Sequence, residues 1–335
     1  MYTDSASKRP RIAWIDGAKG IAIILVIFGH TIDYNSPLRG YIFSFHMPLF
    51  FILAGYTFRQ KRWNSLLTSS FKRLFIPYTM LFLLWRVPNF LAYTDHVNSS
   101  SLKALLGSFI FASGTTVQPF GFDAAGMSWF LASLFCSRII LNAICRSCSN
   151  GEHPIISSGA TSASLLLLGV FLGRNLHLYL PLSLDVSMAA TFFMWVGHLM
   201  KQVNLTKAIL NPFACIISAC AWIGAAHFSF LELAARDYRI LPLAIIAAIA
   251  GTIFTCNISK LICDGPSAPL LNQLRSFLLF SGKNSLTIYS FHSMDWWIPW
   301  SSLPSIVGIP FAHGLAASFR IAYNSLYTKL IRTIS

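Results

Sequence analysis

Lys19 and His30 are two ionisable residues inside the first long apolar run of the chain. Because a helix turns about 100° per residue, the offset of eleven positions brings the second side chain only ~20° past three full turns. Both side chains therefore project from one helix face, roughly 16 Å apart along the axis. A lysine near the membrane edge can meet an anion, and a deeper imidazole can accept a proton near neutral pH. The spacing predicts two ends of one functional path.

His46 and Asp16 extend this candidate site. His46 lies about five residues into the second apolar run, which predicts a depth similar to that of His30 if the two runs form adjacent antiparallel helices. Asp16 stands three residues before Lys19, shares its face and is expected to neutralise its charge. Taken alone, Lys19 is equally well a cation that snorkels to the interface, and His30 a core histidine. Their shared face favours a functional site.

A cluster of basic residues follows the second apolar run. Residues 59–73 contain five lysines and arginines and no acid, and they end on Lys72 and Arg73 at the mouth of the third run. Such a cluster is either an anion-binding surface, for which phosphate is the obvious partner, or plain topogenic charge.

Three polar residues near the C-terminus form a weaker candidate cluster. Asn284 is placed to cap the helix that begins there, and Tyr289 and His292 stand three residues apart on one face of that helix. All three are site candidates, secondary to the two histidines of the first runs.

These residues must be positioned by membrane helices. Of the 335 residues, 55% are hydrophobic and only 11% are charged, and the mean hydropathy is +0.61. A soluble domain of this size carries about a quarter charged residues, so an ordinary soluble enzyme is excluded. The chain is predicted to be an all-α, polytopic membrane bundle of about ten helices. It is expected to form one integral-membrane domain over residues 1–335, with no fused extracytoplasmic domain.

Apolar windows bounded by charges and turn signals give ten candidate spans. They are approximately 13–34, 41–58, 74–93, 127–145, 155–173, 184–200, 209–230, 240–259, 285–300 and 309–328. With the N-terminus in the cytoplasm, the cytoplasmic segments hold 17 of the 25 basic residues and the outer segments hold six, with two inside spans. This asymmetry predicts that both termini are cytoplasmic.

Two other classes of function are disfavoured. The net charge of +14 does not indicate nucleic acid, because the basic residues lie at the ends of apolar runs and form no stripe with interleaved aromatics. A metal site is not predicted, since Cys145 and Cys148 form a CxxC that no second pair or suitable histidine completes. The seven cysteines are interpreted as small apolar packing residues.

Taken together, the motifs resemble the bacterial membrane acyltransferase type 3 family, in its branch of fucose 4-O-acetylases and polysaccharide O-acetyltransferases. The matching pieces are Lys19-x10-His30, Phe45-His46-Met47-Pro48-Leu49-Phe50-Phe51 through Gly55-Tyr56, Lys72-Arg73 to Pro77-Tyr78, Trp129-Phe130-Leu131, and Gly282-Lys283-Asn284-Ser285-Leu286 to Tyr289 and His292. One position departs from the family pattern. Arg73 matches the second arginine of a cytoplasmic Arg-x-x-Arg motif, but Ser70 occupies the first.

The resemblance implies a multi-pass protein of the bacterial inner membrane that moves an acyl group, usually acetyl, from cytoplasmic acyl-CoA to a sugar hydroxyl. The acceptor would be a surface polysaccharide such as O-antigen, capsule or exopolysaccharide, or its lipid-linked precursor. His30 corresponds to the family's catalytic histidine, with His46 assisting or orienting it. Lys19, Lys72 and Arg73 would contact the phosphates of acetyl-CoA or another acyl-CoA, which is a donor substrate and not a tightly bound cofactor. Membrane lipid is the other expected partner.

Several alternatives stay open from the sequence. His30 could act as a general base on the sugar hydroxyl or as a transient acyl carrier. A different class of function is a multispan transporter or flippase that uses Lys19, His30 and His46 as a polar relay, which the lack of a visible internal repeat disfavours. The acceptor sugar, the length of the acyl group, the side of transfer and the oligomeric state are not indicated.

Overall fold

A computed structural model describes residues 11–94 and 97–292, and these residues are mostly helical. The helices are α1 (Ala13–Thr31), α2 (Pro37–Phe43), α3 (His46–Tyr56), α4 (Trp63–Ser70), α5 (Ile76–Leu81), α6 (Val87–Tyr93), α7 (Ser99–Phe111), α8 (Trp129–Cys148), α9 (Pro154–Val170), α10 (Leu184–Gln202), α11 (Thr206–Ile209), α12 (Pro212–Phe228), α13 (Leu241–Asp264), α14 (Pro269–Lys283) and α15 (Ser285–His292). The helix α10 lies at the centre, packed against α3, α8 and α9.

Seven helical segments in the described ranges are long and apolar enough to cross a membrane, which confirms the multispan prediction. They are Ala13–Thr31, Pro37–Tyr56, Trp63–Ala92, Gly126–Cys148, Pro154–Asn175, Pro181–Gln202 and Leu241–Asp264. Two shorter apolar helices, α7 and α12, contain 13 and 17 residues.

The seven segments correspond to the predicted spans one to six and eight, with shifted bounds. The second begins at residue 37 instead of 41, and the third at residue 63 instead of 74. The predicted seventh span, 209–230, is the shorter α12. Of the ninth, 285–300, the structure describes α15, and the tenth, 309–328, lies outside the described residues. The count of ten spans and the sides of the two termini stay predictions.

The helix α14 lies where no helix is predicted. Polar residues are interspersed among its apolar ones, so the mean hydropathy of this stretch is low. It crosses α1 with the two backbones in contact. A methyl group added at Gly20 would collide with the carbonyl of Leu278, and one added at Gly282 would collide with the carbonyl of Asp16. Arg275 of α14 also closes the end of α13, donating to the carbonyl of Gly265 at 2.7 Å. The chain after α14 is thereby held beside α1.

A two-stranded hairpin departs from the all-α prediction. The strands β1 (Phe230–Glu232) and β2 (Asp237–Arg239) pair antiparallel, with Leu231 opposite Tyr238. Each strand has three residues, too few for a period-two pattern to be visible in the sequence.

A buried ion pair ties this hairpin to α10. The Arg236 guanidinium donates to the Asp185 carboxylate at 2.7 Å, and both side chains are at most 1% exposed. The same guanidinium donates to Ser113 at 2.9 Å and lies over the ring of Tyr179. Since Asp185 is in the first turn of α10, its charge also suits the positive end of the helix dipole. The hairpin is therefore fixed on the bundle.

The helix from α4 to α6 is interrupted by two π-helical segments, Phe71–Phe75 and Phe82–Arg86. Each segment ends two residues before a proline, Pro77 and Pro88. Because proline has no N–H and crowds the preceding turn, a wider turn accommodates it. Segments of this kind often occur at functional sites, and these two carry basic residues, described below.

Candidate functional site

A cavity of about 730 Å³ lies at the end of α1 that carries His30, here called the His30 end of the bundle. Its walls come from α1 to α3, from the helix around Phe82–Arg86, from the loop before α8 and from the hairpin. Its volume is within the range of small-molecule sites. Val26, one turn before His30, also lines the cavity, which therefore extends along α1 toward Lys19.

The His30 side chain is exposed to this cavity. Its ring lies 5.5 Å from the ring of Phe43 and 5.3 Å from the ring of His292, between centroids. Within the described part of the chain, neither ring nitrogen of His30 has a hydrogen-bond partner. Both nitrogens are therefore available to a bound molecule.

His46 lines the same cavity but is held differently. The ring is 2% exposed, and its Nδ1 lies 2.9 Å from the carbonyl of Ile42. A carbonyl only accepts, so Nδ1 carries the proton in the neutral ring and Nε2 keeps a lone pair. His46 makes no hydrogen bond to His30; both rings contact Phe43 instead. The two histidines line one cavity without the direct contact that an orienting role would use.

Of the three candidates near the C-terminus, two lie at or beside the cavity and one does not. Tyr289 lines the cavity, and its hydroxyl donates to the carbonyl of Met127. His292 lies against His30. Asn284 is at the junction of α14 and α15, where its side chain donates to the carbonyl of Phe280 at 2.8 Å, and it does not line the cavity.

Two ion pairs of the cavity wall went unrecognised in the sequence. Arg39 is buried over the ring of Phe43 and lies 3.8 Å from the Glu232 carboxylate. Burial raises the pKa of Glu232 above its usual value, and the Arg39 guanidinium opposes that shift. In the second pair, Arg86 contacts Asp123 at 2.5 Å. No sequence signal pairs either arginine with an acid 37 or more positions away.

At the other end of α1, here called the Lys19 end, the charge of Asp16 interacts with that of Lys19, but the two side chains form no direct salt bridge. The Asp16 carboxylate lies 3.9 Å from Arg11, and the described residues contain no carboxylate within 4.0 Å of the Lys19 amine. The cavity ends near Val26, seven residues or about 10 Å from Lys19. Buried side chains such as Ile23 fill that interval.

Arg73 has a neighbour that the sequence did not assign to it. Phe135, Arg138 and Asn142 form one stripe on α8. At its two ends, the Phe135 ring packs 5.6 Å from Phe75, and Asn142 accepts from the Lys61 backbone at 2.9 Å. Arg138 therefore faces the basic segment 61–75. It lies close enough to Arg73 for the two charges to interact.

No carboxylate pairs with Arg73 or Arg138 among the described residues, and Arg138 Nε is buried without a partner there. Lys72 is next to Arg73 in the π-helical segment Phe71–Phe75. Ser70, which stands where an arginine is expected, is 1% exposed. The guanidinium that lies near Arg73 belongs to Arg138 of α8.

Comparison with known families supports an enzymatic interpretation of this geometry. A type 3 family model described as an acyltransferase domain matches residues 12–320, a range that includes every residue of the cavity and of the arginine pair. No curated protein and no solved structure matches the chain.

Proposed function

The chain belongs to the type 3 acyltransferase family, and from that premise we propose that it moves an acetyl group from acetyl-CoA to a sugar hydroxyl of a bacterial surface polysaccharide or its lipid-linked precursor. The observation that carries the proposal is the position of His30. A histidine whose two ring nitrogens have no hydrogen-bond partner among the described residues borders a cavity large enough for a sugar. An imidazole so placed is suited to acyl transfer.

The chemistry balances with residues of the cavity alone. His30 takes the proton from the acceptor hydroxyl while its oxygen attacks the thioester carbonyl; the C–S bond breaks and the thiolate leaves, protonated by the same imidazolium. In the covalent variant, a His30 nitrogen attacks the thioester carbonyl, the C–S bond breaks and the thiolate takes the proton from the other ring nitrogen. The sugar oxygen then attacks the acyl-imidazole while its proton passes to His46 Nε2, and the C–N bond breaks and frees His30. His46, with its Nε2 lone pair, assists by accepting a hydrogen bond from substrate.

The donor's phosphates are proposed to bind at Arg73 and Arg138, with Lys72 and Lys19 adding positive charge. These two neighbouring guanidinium groups have no carboxylate partner in the described ranges, and such a pair is costly in a membrane protein unless an anion joins it. Phosphate suits the forked geometry of arginine. The acyl arm then passes along α1 toward Val26, and the proposal requires the buried side chains of that interval to part.

The test compares acetyl-CoA with a short acetyl thioester that lacks the nucleotide and its phosphates. Purified protein in lipid nanodiscs is expected to transfer labelled acetyl from acetyl-CoA to polysaccharide. Replacing Arg138 with glutamine is expected to raise KM for acetyl-CoA about tenfold, the effect of one charge-assisted contact, and to leave KM for the short thioester unchanged.

The matched control is Lys207→Gln, which removes an exposed cation from α11 and leaves the stripe on α8 intact. It should behave as wild type with both donors. Equal loss with both donors in Arg138→Gln would show a structural role, and no transfer from acetyl-CoA by the wild-type protein would contradict the proposed function itself.

A further inference from the structure

A second polar cluster lies in the cavity, on the wall formed by the helix around Phe82–Arg86 and the loop before α8. Arg86 lies at its centre. Its Nη1 donates to Asn89 Oδ1 at 3.1 Å, and its Nη2 contacts Asp123 Oδ2 at 2.5 Å. The guanidinium thus fixes the planes of both side chains. All three residues line the cavity that contains His30.

This arrangement leaves one donor and one acceptor pointing away from the arginine. Among the described residues, the Asn89 amide nitrogen and the second Asp123 oxygen have no hydrogen-bond partner. The Asp123 side chain is 63% exposed, so it can be reached from the cavity. Vicinal hydroxyls of a sugar both donate and accept, and they match such a pair. The rings of Trp85 and Trp129 line the same space and offer apolar faces for the C–H side of a sugar.

The charges of the described lining residues cancel. Arg39 lies 3.8 Å from Glu232 and Arg86 lies 2.5 Å from Asp123, so each guanidinium already faces a carboxylate. A carboxylate on the ligand would have to displace Glu232 or Asp123 from its arginine, at the cost of leaving a like charge nearby. An uncharged ligand meets no such cost.

We propose that Arg86, Asn89 and Asp123 form the acceptor subsite and that it selects an uncharged sugar over an acidic one. The inference rests on the proposed function and adds the class of acceptor and the residues that recognise it. Arg86 positions the other two side chains, while Asn89 and Asp123 contact the sugar hydroxyls.

The test uses matched acceptors that differ only at C6, a methyl hexoside and the corresponding methyl hexuronide, in both gluco and galacto series. In nanodiscs with saturating acetyl-CoA, the hexoside is expected to be preferred at least tenfold in kcat/KM. Asn89→Ala is expected to raise the acceptor KM about tenfold, the effect of losing one hydrogen bond to the ligand, without changing KM for acetyl-CoA. Asp123→Asn is expected to lower the ratio of kcat/KM for the hexoside to kcat/KM for the hexuronide.

Asp237→Asn is the matched control, since this acid of the same end belongs to an exposed pair with Arg239 and does not line the cavity. It should keep the wild-type preference. Equal use of hexuronide by wild type, or an unchanged acceptor KM in Asn89→Ala, would overturn the subsite.

Binding is measured separately as the rise in melting temperature that each glycoside causes without acetyl-CoA. If the hexoside raises the melting temperature of wild type but not that of Asn89→Ala, the subsite is supported even if wild type lacks transferase activity. If the hexoside does not raise the melting temperature of wild type, the subsite is contradicted.

Discussion

Replacing His30 with glutamine is expected to reduce acetyl transfer about 10³-fold, within the range found for loss of a general acid–base group. Glutamine keeps a polar side chain of similar length but can neither accept the hydroxyl proton at neutral pH nor carry an acyl group. The cavity leaves His30 room for this change, because the ring is exposed to it and no hydrogen bond of the described structure depends on it. The measurement is the rate of acetyl-glycan formation per folded protein in nanodiscs.

Two other histidines serve as comparisons for His30→Gln. His227→Gln changes the last turn of α12, outside the cavity, and should retain wild-type activity. His46→Gln is expected to lose about 10- to 100-fold, since His46 assists without contacting His30. A His30→Gln protein that retains more than half of the activity would remove His30 from the reaction.

Replacing Asp185 with asparagine is expected to destabilise the protein by about 3–5 kcal/mol, because it leaves the buried Arg236 guanidinium without its counter-charge. The remaining contacts of Arg236, to Ser113, to the carbonyl of Ala234 and to the ring of Tyr179, carry no negative charge. Thermal unfolding in detergent, followed by size-exclusion recovery, measures the loss. Activity should fall as well, since the hairpin that Arg236 holds carries Glu232 of the cavity wall.

The exposed pair of the same hairpin gives the contrast. Arg239 and Asp237 lie 3.1 Å apart with side chains 65% and 28% exposed, and Arg239→Gln is expected to cost no more than about 1 kcal/mol. Combining Asp185→Asn with Arg236→Gln should recover part of the stability, because no uncompensated charge remains. A double variant as unstable as the sum of the single ones would indicate that packing, and not charge, fixes the hairpin.

The membrane helices and the histidine pair were predictable because each follows from local chemistry. Apolar length identifies a span, and helix periodicity places Lys19 and His30 on one face. His46 was assigned to the same depth from the reversal of direction between two adjacent runs, and the structure brings it to the same cavity.

The other cavity residues depend on contacts that a sequence does not show. Arg39 with Glu232, and Arg86 with Asp123, are brought together only by the packing of separate elements. The position of Arg138 beside Arg73 is a further example. An arginine inside a predicted span indicates a functional residue, but only the packing of α8 determines which residue lies next to it. The helix α14 was missed because backbone contact at Gly20 and Gly282, not an apolar window, holds it on α1.

In the proposed reaction, the donor binds at the Lys19 end and the acceptor binds at the His30 end. Sealed vesicles that contain the protein with its Lys19 end outward test this arrangement most directly. Acetyl-CoA is added outside, and the glycoside is either added outside or trapped inside the vesicles. We predict that only the trapped glycoside is acetylated, and that His30→Gln abolishes this product. Acetylation of the outside glycoside alone would contradict this arrangement, since donor and acceptor would then meet at one end.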